Sequence, residues 1–344
     1  MDNLKQKELV ALQFHGKTSE YFGIWIVNIL LSIITLGIYS AWAKVRAKRY
    51  FYGNTELNGH RFNYLATPIQ ILKGRIIAVI VFALYMFVSS AFPAIGAIFA
   101  LVLFIASPYL ICASLRFNSR MTSYQNVRFD FVGQYGQAFV NFIVLPIASL
   151  FTLYLALPWV LKRIDTFLVS NIRYGDKAFK TELSTSYYYK TSLIVAILFI
   201  AVFAVIYATG VLSLFASPSE ATPMLFLSMA VLYILAFTLI HAIYIARIRN
   251  HIYQQTELDD ICQFNSQVNA FHLVALQVTN LIALICTFGL ALPWVNIRTT
   301  QFFITRTDVL VYENHADAID SIKQNASALT EELSEVFDID VALT

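Results

Sequence analysis

The stretch Thr35-Leu-Gly-Ile-Tyr-Ser-Ala-Trp42-Ala-Lys-Val-Arg46-Ala-Lys-Arg-Tyr50 decides how the chain is read, because its pattern returns twice. A threonine lies seven residues before the tryptophan, an arginine four after it and an aromatic eight after it. The three copies are Thr35/Trp42/Arg46/Tyr50, Thr152/Trp159/Arg163/Phe167 and Thr287/Trp294/Arg298/Phe302. Three of the four tryptophans stand at the centre of this repeat, two of them preceded by proline (Pro158, Pro293).

Working outward, each centre closes an apolar block, at 22–43, 140–160 and 270–295. Between them run four more, at 76–92, 95–115, 191–215 and 224–246, which approach or exceed the ~20 residues a helix needs to cross a bilayer. The whole chain of 344 residues is 58% apolar and 13% charged, about half the charge of an ordinary soluble domain. The expected fold class is therefore an all-α polytopic membrane protein. Three repeated Trp/Arg-ended apolar units, about 14–64, 131–180 and 264–312, interleave in it with two transmembrane helical hairpins, about 73–116 and 190–247. Asn58-Gly59 between alternating residues, and the segment 171–180, read as small β-hairpins on the cytoplasmic surface. Residues 1–315 form the integral membrane domain, and 316–344, with one lysine against seven acids, an acidic amphipathic cytoplasmic tail.

Two topologies, or a mixture of them, follow. If all seven blocks cross, the basic linker 161–190 falls on the face opposite the basic linker 44–75, which the positive-inside rule resists. If each repeat block instead enters and leaves one face, there are four crossings, every basic linker and both termini are cytoplasmic, and only the hairpin tips near Pro93 and Pro218 lie outside. A turn within the membrane is tolerated where it is buried in protein or lines a cavity, and Gly37, Gly289, Pro158 and Pro293 supply bend points.

Arg46, Arg163 and Arg298 are the strongest positional signal. One turn past a boundary tryptophan, an arginine snorkels to lipid phosphates; three related by a repeat can also converge on an anion or a lipid headgroup, for which the guanidinium fork is suited. Asn28 and Asn280 share a repeat position, whereas unit two has Leu145 there and Asn141 one helical turn earlier. With Thr35, Thr152 and Thr287 these asparagines are read either as interhelical hydrogen bonds or as the polar lining of a path. Trp42, Trp159 and Trp294 are interface anchors. The net charge of +3 sits beside apolar blocks, so it orients the chain in lipid and does not imply nucleic acid. Scattered cysteines and histidines give neither a disulfide framework nor a metal-ligand spacing, and no phosphate loop, dinucleotide fingerprint or serine elbow is present; no catalytic residue, metal or cofactor is assigned, and an enzyme is not expected.

Several stretches carry a resemblance: Phe14-His-Gly16, Asn28, Ile34-Thr-Leu-Gly-Ile-Tyr39, Trp42-Ala-Lys-Val-Arg46, Lys48-Arg49-Tyr50, Asn58-Gly-His-Arg-Phe62-Asn-Tyr64 and Met121-Thr-Ser-Tyr-Gln-Asn-Val-Arg-Phe129. In these the chain resembles the YjgN-like bacterial inner-membrane proteins, a family whose shared domain is of unknown function (DUF898). The resemblance implies a multi-pass inner-membrane location, with membrane lipids as partners, and supplies no activity. The expected function is transport or conduction of a small anionic solute or lipid; the competing one is a structural or envelope-organising membrane protein.

Overall fold

The structure, a computed structural model, describes residues 7–208, 223–259 and 261–312, together with 320 and 322. The connection expected near Pro218 and, apart from those two residues, the acidic tail lie outside the described residues.

The all-α expectation is overturned. Among the described residues eleven strands build one sheet: β1 (Lys7–Ala11), β2 (Gln13–Phe14), β3 (Thr55–Leu57), β4 (His60–Tyr64), β5 (Thr122–Tyr124), β6 (Val127–Phe131), β7 (Ile172–Tyr174), β8 (Lys177–Thr181), β9 (Thr256–Leu258), β10 (Cys262–Ser266) and β11 (Thr307–Tyr312). Their order is β1-β11-β10-β9-β8-β7-β6-β5-β4-β3-β2, with antiparallel pairing throughout. The hairpins expected at 54–64 and 171–180 are real, but they are parts of this sheet and not minor surface features. Strands β1 and β2 are consecutive, parted only at Leu12, yet β1 pairs with β11 (Leu9 opposite Leu310) and β2 with β3 (Gln13 opposite Glu56). One stretch of chain thus holds both edges and brings the sheet to a near-closed barrel, which protects strand edges from further pairing.

The barrel's inward face is apolar. Tyr124, Val127, Tyr174, Leu258, Cys262, Val309 and Val311 are buried together, with Phe62, Phe129, Phe179 and Phe264 packed against them. The two-residue spacing of Val309/Val311 and of Cys262/Phe264 is the period of a strand with one face inward. A cavity of about 170 Å³ remains among these side chains. At one end Ile322 lies against Gly175, whose φ is +59°, and any Cβ there would collide with it.

Among the described residues ten helices occupy the connections at one end of the strands: α1 (Thr18–Ile34), α2 (Ser40–Gly53), α3 (Pro68–Ala91), α4 (Pro93–Arg120), α5 (Tyr135–Phe151), α6 (Leu157–Ser170), α7 (Thr185–Ala208), α8 (Pro223–Gln254), α9 (Ala270–Cys286) and α10 (Leu292–Ile304). At the other end are tight turns, in which Asn58 and Gly59, Gln125 and Asn126, and Gly175 adopt positive φ as such hairpin turns require. A threonine staple marks four of the helix-to-strand junctions: the hydroxyls of Thr55, Thr122, Thr256 and Thr307 donate to the carbonyls of Phe51, Asn118, Ile252 and Phe303, four residues back, at 2.6–2.9 Å. The staple occupies a carbonyl left orphaned where the helix ends.

Helices therefore come as five pairs, three short and two long. α3, α4, α7 and residues Val231–Gln254 of α8 are long and apolar enough to cross a membrane. α1, α5 and α9 have 17 residues each, a rise of about 25 Å, and the chain then turns back. Both ends of each short pair join the same end of the sheet, so each repeat unit runs out from the sheet and back to it. Four crossings and three re-entrant pairs is the arrangement these helices fit. The Trp-centred units are the short members of a five-part ring, in which the first and last helices also meet: the side chains of Tyr21 and Asn296 are hydrogen-bonded.

The long pairs are thinly packed. On α3, Val81, Tyr85 and Val88 are half-buried along one stripe, and the Tyr85 ring meets Phe99 of α4 at 6.0 Å between centroids. Ile76, Ile77, Val79, Ile80, Phe82, Leu84, Met86 and Phe87 are exposed around the rest of the helix, and no residue of α3 is buried.

Candidate anion site at the repeated arginines

The repeat threonines make the tips. Each hydroxyl donates to the end of the first helix, from Thr35 to Leu31 O at 2.7 Å, from Thr152 to Ser149 O at 2.9 Å and from Thr287 to Ala283 O at 2.7 Å. Each also accepts the backbone N–H at the start of the second helix, from Tyr39 (2.9 Å), Ala156 (3.1 Å) and Ala291 (2.9 Å). The next two residues take left-handed conformations: Leu36 and Gly37, Leu153 and Tyr154, Phe288 and Gly289. The hydroxyls are thus engaged within their own turns. The tips present apolar side chains, with Leu36 94%, Phe151 87% and Phe288 98% exposed, as suits insertion into lipid.

The tryptophans sit near the start of each returning helix, half-buried at Trp42 and exposed at Trp159 and Trp294. Trp42 stacks on Tyr39, and the Arg298 guanidinium lies 4.9 Å over the Trp294 ring. Both contacts fit amphipathic side chains at a membrane boundary.

The arginines divide two against one. Arg46 donates to Asn28 Oδ1 at 3.4 Å and to the Tyr39 hydroxyl at 3.2 Å. Arg298 donates to Asn280 Oδ1 at 3.1 Å and to the Thr279 hydroxyl at 2.6 Å. In units one and three the buried asparagine therefore ties the returning helix to the outgoing one. Unit two has Leu145 in that place. Arg163 is exposed and makes no hydrogen bond or ion pair among the described residues. Asn141, 6% exposed, donates from Nδ2 to Gln137 O at 2.8 Å, and its buried Oδ1 has no partner. The five residues Val140–Val144 around it form a π-helical turn, a feature frequent at functional sites.

Arg163 and Asn141 line a groove of about 460 Å³ together with Gln137, Thr166, Ser170 and Asn171. None of these last four is a site candidate from the sequence, although 163, 166 and 170 recur at helical spacing along α6. The matching groove of unit three, about 420 Å³, includes Arg298, Leu276, Phe302 and Arg306; Leu276 stands where unit two has Asn141. Arg163 and Arg298 thus line separate grooves. Other basic side chains serve the fold: Arg49 donates to the carbonyls of Tyr64 and Ala66, and Arg116 to those of Phe131 and Gly133. Among the described residues no three His, Cys, Asp or Glu side chains gather as a metal site. In the barrel, burial pushes the Cys262 thiol up to about 12.

A family model described as "Bacterial protein of unknown function (DUF898)" matches residues 10–336. Over 119 residues, 34% of this chain and 30% of the relative, the chain is 43% identical to the inner membrane protein YjgN of Escherichia coli O157:H7. Over 149 residues, 43% of this chain and 38% of the relative, it is 34% identical to the inner membrane protein YjgN of Salmonella typhimurium. The chain thus spans about a third of the length of these relatives. No solved structure matches it.

Proposed function

The chain belongs to the bacterial family DUF898, and from that premise we propose that it is an inner-membrane protein that holds anionic lipid and passes it across the bilayer. The observation that carries this reading is the apolar surface around most of α3, which is exposed apart from half-buried positions against α4 and, in its first turns, against α2. Helices arranged in a single ring, aliphatic on more than their outer side, are wetted by acyl chains and not by water. A lipid is therefore a better cargo than a hydrated solute. Barrel and termini are cytoplasmic in this reading, because Lys48, Arg49, Arg116 and Arg120 gather where the helices meet the sheet. No step of it requires enzyme chemistry.

The test is reconstitution of the full chain into vesicles of phosphatidylcholine and phosphatidylglycerol carrying a trace of headgroup-labelled phospholipid. Quenching from outside should remove the outer-leaflet signal, about half, in empty vesicles and clearly more when protein is present. Protein that is folded by its thermal melt and leaves the signal at half contradicts the proposal. A purely structural role is favoured by one specific observation, the Arg46–Asn28 and Arg298–Asn280 ties that merely staple two units; absence of lipid movement would select it.

A further inference from the structure

We infer that unit two is the ligand-holding member of the ring, and that the groove between α5 and α6 takes a phosphate with a neighbouring hydroxyl. The inference rests on the lipid reading for the source of that group, and deepens it by naming the site and the chemistry. Three independent departures from the repeat coincide here. The asparagine that would tie the arginine is replaced by Leu145, which releases Arg163. An asparagine appears instead at Asn141, where units one and three have Ile24 and Leu276. The helix widens to a π turn around it.

The chemistry follows from what is left unpaired. Arg163 offers donors and a positive charge, the complement of a phosphate. Asn141 cannot be turned over to supply another donor, because its Nδ2 is held by the Gln137 carbonyl at 2.8 Å. Its Oδ1 is an acceptor buried in the groove wall without a partner, and because leaving such a group unsatisfied is costly, a small side-chain rotation that brings it to a donor in the groove is favoured. A ligand that brings a hydroxyl donor beside its anion satisfies both residues; a glycerophosphate group has that form. Thr166 and Ser170 line the same groove and add hydroxyls to it.

The experiment measures binding to the purified full chain in detergent by native mass spectrometry, with short-chain phosphatidylglycerol, phosphatidylcholine and glycerol 3-phosphate as probes. Phosphatidylglycerol should bind more tightly than phosphatidylcholine. Arg163→Gln should weaken both lipids about tenfold or more, the scale of a hydrogen bond to a charged group. Asn141→Leu, which restores the residue of unit three, should erase the preference between the two lipids. Arg46→Gln and Arg298→Gln should leave both affinities within about twofold. Unchanged binding in an Arg163→Gln protein that melts like the wild type overturns the inference, as does equal weakening by all three arginine variants. Glycerol 3-phosphate that displaces the lipid at equal concentration upholds the site with a soluble ligand; failure to displace upholds it with a lipid. Lipid movement without binding at Arg163 sinks this inference and leaves the proposed function standing, whereas binding without movement does the reverse.

Discussion

At the scale of the residue, burial changes what a side chain can do. Cys262 points into the barrel among aromatic rings, and its thiol is raised from 9.0 to about 12 by desolvation. A thiol raised on folding keeps its proton after the unfolded chain has lost it. Cys262 therefore withdraws stability as pH climbs from about 9 towards 12, and by pH 10 the loss is on the order of 1 kcal/mol. Thermal melts between pH 8 and 10 should fall more steeply for the wild type than for Cys262→Ala. Equal slopes would show that the thiol ionises freely in the folded protein. Tyr124 and Tyr174 flank the thiol and are also raised by burial, but both variants share them. In the sequence Cys262 is one of three scattered cysteines, of which Cys112 and Cys262 are buried and Cys286 is exposed. The sequence does not show that the burial is inside a sheet.

At the scale of the element, the Thr/Trp/Arg spacing was legible because it encodes a local object. The threonine stitches a turn through bonds no more than four residues long, and a spacing of that kind survives in the sequence. The exception in unit two was legible too, as Asn141 displaced by one turn from its counterparts. What it does was not, since only the fold reveals that Asn28 and Asn280 engage an arginine 18 residues away. The tips carry a further asymmetry. Gly37 and Gly289 take φ of +91° and +88°, while Tyr154 holds +63° with a side chain. A left-handed residue other than glycine costs roughly 1–2 kcal/mol. Tyr154→Gly should therefore stabilise the protein by about 1 kcal/mol, partly offset by glycine's greater freedom in the unfolded chain. A melting temperature that drops on this substitution would mean that the Tyr154 side chain contributes more than its backbone strain removes.

At the scale of the whole molecule, the barrel escaped the sequence for a physical reason. Its strands run two to six residues, so each supplies only one to three inward side chains, too few for alternation to stand out beside 17-residue apolar helices. The pairing that completes it joins Leu9 to Leu310, across almost the whole chain. Once the sheet is recognised, the question of seven or four crossings becomes a question about connections, because every helix pair leaves and re-enters one end of the barrel. Phe14-x-Gly16 and Phe131-x-Gly133 are explained in the same way: each phenylalanine ring folds over its glycine where a strand hands over to a helix, and a Cβ would not fit. Unit three has Ser266 and Val268 there and does not repeat the motif.

The central claim is that all hairpin turns of the barrel share one face and the short helix pairs do not cross. Single cysteines at Asn58 and Lys177, in a background lacking the native ones, test it through labelling by a membrane-impermeant maleimide in intact and in opened cells. Both positions should stay unlabelled until the cells are opened, and a third cysteine at Phe92, between α3 and α4, should label in intact cells. Asn58 and Lys177 reporting from opposite faces would contradict the account.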